Sequence, residues 1–226
     1  MHFLINLAEN GHFGCDNHCP FCEWDRQDYG KYWFPSDEEL DLAMKINGQS
    51  IVLSGGGDPL YHFEKNQHLI KHFVDYITSR GKKAGIYTHN LQTLWEYKET
   101  FKSWPVFFLL SINRRFTAFD QQIVNDFKNQ INVINVVFND GPELPPIEEI
   151  IKIAQTFQPI HIRFREHWVY SITDRTLLNS YRDVFHKYHC GFIASTHYSK
   201  VRVMFEGKIT TCGEIDKTVL HIEKHI

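Results

Sequence analysis

Hydrophobic and polar positions along this chain follow two rhythms that take turns. Short runs rich in β-branched and aromatic residues are each followed by a longer stretch in which apolar residues recur every three or four positions. The first pattern predicts a buried strand and the second an amphipathic helix. Strands are expected at His2–Leu7, Ser50–Ser54, Ala84–Thr88, Val106–Ile112, Ile131–Phe138 and Ile160–Arg165. Helices are expected at Asp37–Ile46, Glu64–Arg80, Thr93–Phe101, Asp120–Asn129, Pro146–Thr156 and Asp174–Tyr188. Ser36 suits the N-cap of the first helix, with Glu38 and Glu39 in its first turn. Leu69, Ile70, Phe73, Val74 and Ile77 form one stripe of the second, which Gly81 closes.

Six strand–helix units in a row predict an α/β fold with parallel strands joined by right-handed crossovers. Six are too few to close an eight-stranded barrel. The expected architecture is therefore a partial (β/α)6 barrel, an open parallel sheet, over residues 1–188. Beyond residue 190 the rhythm changes. Val201, Val203 and Phe205 alternate with Lys200, Arg202 and Met204, and Glu206-Gly207 turns into Lys208–Cys212. This predicts an antiparallel hairpin, so residues 189–226 read as a small C-terminal hairpin extension and tail. Sites in such folds lie at the carboxyl ends of the strands. In the sixth strand His161, Arg163 and Arg165 share one face, and polar residues there suit a lumen that holds a charged ligand.

Composition narrows the class. The chain has 226 residues, 42% hydrophobic and 15% aromatic, enough for a sizeable core. A net charge of −3, without a basic run, gives no electrostatic footprint for nucleic acid. No stretch approaches the roughly 20 apolar residues that span a bilayer, and the N-terminus lacks the basic start of a signal peptide. The five cysteines are a tight triad and two distant ones, unlike a secreted disulfide framework. A cytoplasmic, oxygen-sensitive protein is expected.

The triad is Cys15, Cys19 and Cys22, in the run GCDNHCPFCEW. It offers three thiolates, whereas a structural zinc site or a cubic iron–sulfur cluster takes four ligands. Three cysteines leave one iron of a cluster open to an outside ligand. Phe21 gives an apolar wall that limits solvent access. Downstream, Gly55, Gly56 and Gly57 follow the second strand and allow close approach of backbone to a ligand.

The cysteine run resembles the signature of the radical S-adenosylmethionine (SAM) superfamily, including the aromatic residue before its last cysteine. Ser54-Gly-Gly-Gly-Asp58-Pro59 resembles that family's glycine-rich SAM segment, with Asp58 where Glu is usual. Tyr87-Thr-His-Asn90 resembles, more loosely, the Thr-Asn-Gly at the end of the third strand, with His89 inserted. The resemblance implies a 4Fe–4S cluster on Cys15, Cys19 and Cys22 whose open iron chelates SAM. It implies reductive cleavage of SAM to a 5′-deoxyadenosyl radical, hydrogen-atom abstraction from substrate, and an electron donor such as flavodoxin or ferredoxin. By the same resemblance the glycines bind the methionine amino group and Asp58 supports their loop. Position alone nominates Ser111 and Asn113 for the ribose, and Thr88 and Asn90 for SAM or substrate. Arg163 and Arg165 are candidates for an anionic group, since Arg suits bidentate contacts.

Gly207-x4-Cys212, with Cys190 upstream, resembles the start of the SPASM and twitch extensions of peptide-modifying members, without the cysteines that complete a cluster. The substrate reading leans to a peptide or protein. A small-molecule or nucleoside substrate is the alternative. A reading of another class is a non-catalytic zinc-binding module, its fourth ligand supplied by a histidine such as His18 or His12.

Overall fold

The computed structural model describes residues 2–9, 14–15, 31–46, 49–112, 117–138, 147–157, 160–166, 191–193, 202–205 and 208–211. In chain order the elements are β1 (His2–Ile5), β2 (Ala8–Glu9), β3 (Lys31–Tyr32), α1 (Asp37–Ile46), β4 (Ser50–Leu53), α2 (Phe63–Ser79), β5 (Lys83–Thr88), α3 (Leu91–Glu96) and α4 (Lys98–Ser103). They continue with β6 (Val106–Ile112), α5 (Ala118–Asp126), β7 (Ile131–Phe138), α6 (Ile147–Thr156), β8 (His161–Glu166), β9 (Gly191–Ile193), β10 (Arg202–Phe205) and β11 (Lys208–Thr211). The helix expected over Asp174–Tyr188 lies outside the described residues.

The chain divides into two compact units, with the boundary inside β6 after Phe107. In the first unit the sheet runs β11-β10-β1-β4-β5. β1, β4 and β5 are parallel, in the register Ile5↔Leu53↔Ile86, and these three side chains are fully buried. The C-terminal hairpin is antiparallel within itself, and β10 lies parallel to β1. Helix α1 starts at a reciprocal cap. The Glu39 N–H donates to Ser36 Oγ at 3.3 Å, and the Ser36 N–H donates to Glu39 Oε2 at 2.8 Å. The α2 stripe buries Ile70, Phe73, Val74 and Ile77. Burial of each such side chain stabilises by about 1.5–3 kcal/mol.

One element departs from expectation. The single helix expected over Thr93–Phe101 is two short helices, α3 and α4, parted at Tyr97, whose ψ of +28° leaves the helical range. Tertiary contacts hold Tyr97 there. Its hydroxyl donates to Glu64 Oε1 at 2.9 Å, and its ring meets Phe63 edge-on at 4.9 Å. Phe63 also packs on Phe101 and Trp104, at 4.7 and 6.0 Å between centroids. An aromatic cluster of this size outweighs the weak preference of one residue for continuing a helix.

In the second unit β6, β7, β8 and β9 follow one another in parallel, so the α/β class and the open parallel sheet are as expected. Phe108 and Phe127 meet edge-on at 5.7 Å in its core. Thr117 closes a capping box on α5 with Asp120. Ser111, Asn135 and Arg163 fall in one row of the register. Among the described residues no helix is long and apolar enough to cross a membrane.

Candidate active site

Three loops at the carboxyl ends of β1, β4 and β5 meet in the first unit. The ladder between β1 and β4 runs on past the strands: Ser54 N donates to Ile5 O at 2.8 Å, and Leu7 N donates to Gly55 O at 3.3 Å. The chain then turns through Gly55, Gly56 and Gly57, with φ of +89°, +68° and +128°. L-residues with side chains rarely adopt such values, so glycine is required for the turn. At Gly55 an added Cβ would sit 3.2 Å from Asn6 Oδ1. Pro59, next to Asp58, is buried.

Asn6, one residue past β1, is 2% exposed, and neither its amide nitrogen nor its oxygen has a hydrogen-bond partner among the described residues. Buried side-chain amides are normally satisfied, and leaving one open costs about 1–3 kcal/mol. Among the described residues nothing uses this polar group.

Asp58 organises the meeting of the loops. It is 2% exposed. Its carboxylate accepts from Leu60 N at 2.8 Å, from His89 N at 2.8 Å and from Thr88 Oγ1 at 2.7 Å. Its own N–H donates to Gly14 O at 3.1 Å, which ties the residue before Cys15 to the glycine loop. Gly14 has φ +136°, and a Cβ there would collide with the Tyr61 ring. The Thr88 hydroxyl also accepts from Asn90 N at 2.9 Å. Asn90 caps α3, its Oδ1 accepting from Thr93 N at 3.0 Å.

His89 completes the network. Its Nδ1 lies 2.9 Å from Asp58 Oδ2 and its Nε2 lies 3.2 Å from Cys15 Sγ. Burial of Asp58 pushes its carboxyl up, but the charge and hydrogen bonds of His89, with the Leu60 N–H, hold it below the usual carboxylate range. Burial of His89 pushes its imidazole down. The charge and hydrogen bond of Asp58, then Cys15, outweigh that and carry it up to about 10. The sequence pattern marked His89 only as an insertion. The signal was there in its pairing with a shortened acid at Asp58, but only the contact gives it a place.

Of the residues nominated from sequence, the structure gathers Cys15, Ser54, Gly55, Gly56, Gly57, Asp58, Pro59, Thr88 and Asn90 in this one region. Cys19, Phe21, Cys22, Asn113, Cys190 and Cys212 lie outside the described residues. Ser111, half-buried at the end of β6, belongs to the second unit, as do Arg163 and Arg165 on β8. Among the described residues no three acidic, histidine or cysteine side chains form a metal cage, and Cys15 is the one motif cysteine described.

Two solved structures of anSMEcpe, an anaerobic sulfatase-maturating radical SAM enzyme, are similar to this chain. One is the native protein with bound AdoMet and Cp18Cys peptide. Its TM-score is 0.50 at 14% identity, over 84% of this chain and 62% of that one. The other is the histidine-tagged protein with bound AdoMet, with TM-score 0.51 at 13% identity, over 85% and 63%. This chain has the fold of those two structures. At such identity the likeness is one of fold, and the chain spans less than two thirds of the length of either radical SAM structure. No family model matches the sequence, and no curated protein does.

Proposed function

We propose that this protein is a radical SAM enzyme that reductively cleaves S-adenosylmethionine at a 4Fe–4S cluster and abstracts a hydrogen atom from its substrate. The observation that carries the reading is the convergence at Asp58, where the residue before Cys15, the glycine loop and the Thr88–Asn90 segment are bonded together. Three segments that resemble motifs of one family, far apart in the chain, are bonded to one another there. The residue types at these positions suit the groups. Cys15, Cys19 and Cys22 would hold the cluster. Gly55 to Gly57 offer backbone without side chains, and the Asn6 amide beside Gly55 is a buried donor and acceptor without a partner among the described residues. An amino-acid head group such as that of SAM supplies both complements. When bound, the cluster supplies the electron that splits the sulfonium bond. The chain's own part is to orient SAM and exclude water.

A peptide or protein is the favoured substrate class, because the native anSMEcpe structure of the same fold carries a bound peptide. The alternative is a small molecule or nucleoside. A one-electron donor such as flavodoxin or ferredoxin is the partner this chemistry needs. The test is anaerobic reconstitution followed by dithionite. The expected outcome is about four irons per chain and release of 5′-deoxyadenosine, both lost in Cys15→Ala, Cys19→Ala and Cys22→Ala. Retained cleavage in any of the three contradicts the assignment. One observation favours a second reading, a zinc site. His89 stands on Cys15 with a carboxylate behind it, the arrangement of a zinc-bound histidine. A colourless protein holding one zinc would decide for it.

A further inference from the structure

Two of the places where the chain departs from the motifs it resembles are Asp58, for the usual Glu, and the inserted His89; the third is the missing glycine after Asn90. Asp58 and His89 are 31 residues apart in sequence, and they touch. The carboxylate takes one edge of the imidazole and leaves the other edge facing Cys15 Sγ. From this contact we infer that His89 is a hydrogen-bond donor to the Cys15 sulfur of the cluster, oriented by Asp58, and that it sets the cluster's reduction potential. The inference rests on the reading that Cys15 is a cluster ligand.

A ligating thiolate has no proton, so at 3.2 Å the hydrogen between the two atoms belongs to Nε2. The other ring nitrogen, Nδ1, faces Asp58 Oδ2 at 2.9 Å, and this contact fixes the plane of the ring. Asp58 cannot swing away freely, because Leu60 N, Thr88 Oγ1 and His89 N also bind it. The imidazole is therefore held at both edges, which makes it a positioned donor instead of a solvated side chain. The reduced cluster carries one more negative charge than the oxidised one. A donor on a cluster sulfur stabilises the reduced form and raises the potential. His89 is a positioning residue: it touches a ligand of the cluster and is asked to bind no iron.

The test uses the full chain, reconstituted anaerobically. Midpoint potentials are read by electron paramagnetic resonance for wild type, His89→Gln and His89→Asn. The glutamine amide reaches the position of Nε2, whereas the asparagine amide reaches only that of Nδ1. Both are expected to shift to more negative potentials, His89→Asn clearly further than His89→Gln, which keeps a donor at the sulfur. In parallel, wild-type protein grown with ¹⁵N-histidine is expected to show a weak nitrogen coupling to the reduced cluster that disappears in His89→Gln. A wild-type potential in His89→Asn overturns the inference. So do equal shifts in both variants, no nitrogen coupling, or a strong coupling that places nitrogen directly on iron. If His89→Asn holds no cluster, the nitrogen coupling and the His89→Gln potential decide alone. A wild-type chain that takes zinc and forms no cluster defeats the underlying reading as well; a loaded cluster indifferent to His89 defeats this inference by itself.

Discussion

Two buried polar side chains described in the second unit have bonds close by. Asp120 serves the capping box of its own helix, and the Asn135 amide donates to Leu110 O of the neighbouring strand at 3.3 Å. In the first unit the pattern is different. Asp58 gathers its partners from two, 30 and 31 residues along the chain, and Asn6 has none among the described residues. A capping box or a bond to the next strand serves the fold. A polar group that joins distant loops, or is left open, is held ready for something else. Desolvation opposes keeping such groups. Their grouping at three strand ends is therefore the clearest physical mark of a site, independent of any motif.

Substitutions sharpen this contrast. The largest effect is expected at Asp58. Asp58→Ala leaves a hydroxyl, two backbone N–H groups and an imidazolium without their acceptor. It should lower the stability of the cluster-free chain by about 3–5 kcal/mol, read from the urea midpoint; a loss as small as that of Asn135→Ala would erase the distinction between the units. Gly55→Ala comes next. It forces a side chain onto φ +89° and presses Asn6, and should cost about 1–3 kcal/mol. If SAM lies on this loop, SAM binding to the reconstituted protein weakens in the same variant, which calorimetry would register. Thr117→Ala in the second unit removes one cap and should cost about 1 kcal/mol without touching SAM binding. The smallest change is expected at Asn6. Asn6→Ala loses packing but also removes an amide that was desolvated for no bond, so stability should change by less than about 1 kcal/mol. A larger loss would show that the amide is bonded after all.

Much of the fold was legible because it rests on local pattern. The expected spans of α1, β6 and β7 are those observed, since each joins a clean periodicity to a cap, a turn or a long apolar run. The break at Tyr97 was not legible. It depends on Glu64 and Phe63 approaching from another helix, and a single sequence does not show which ring will meet which. The short pair β2 and β3 escaped for a related reason: two residues a side carry no period. In the site, the cysteines, glycines and Asp58 were nominated by residue type and spacing. Asn6 and His89 were not given roles, because an unpaired amide and an imidazole on a sulfur exist only as contacts.

The sequence by itself determined the alternation of strands and helices, the parallel sheet that follows from it, and the identity of the motif residues. These are consequences of side-chain size, polarity and order along the chain. Tertiary structure alone decided that Asp58 and His89 pair, that the imidazole faces Cys15, and that Asn6 is buried open beside Gly55. Those outcomes depend on distances across loops, where partners separated by 31 and 74 residues are brought within hydrogen-bonding range by the packing of elements between them.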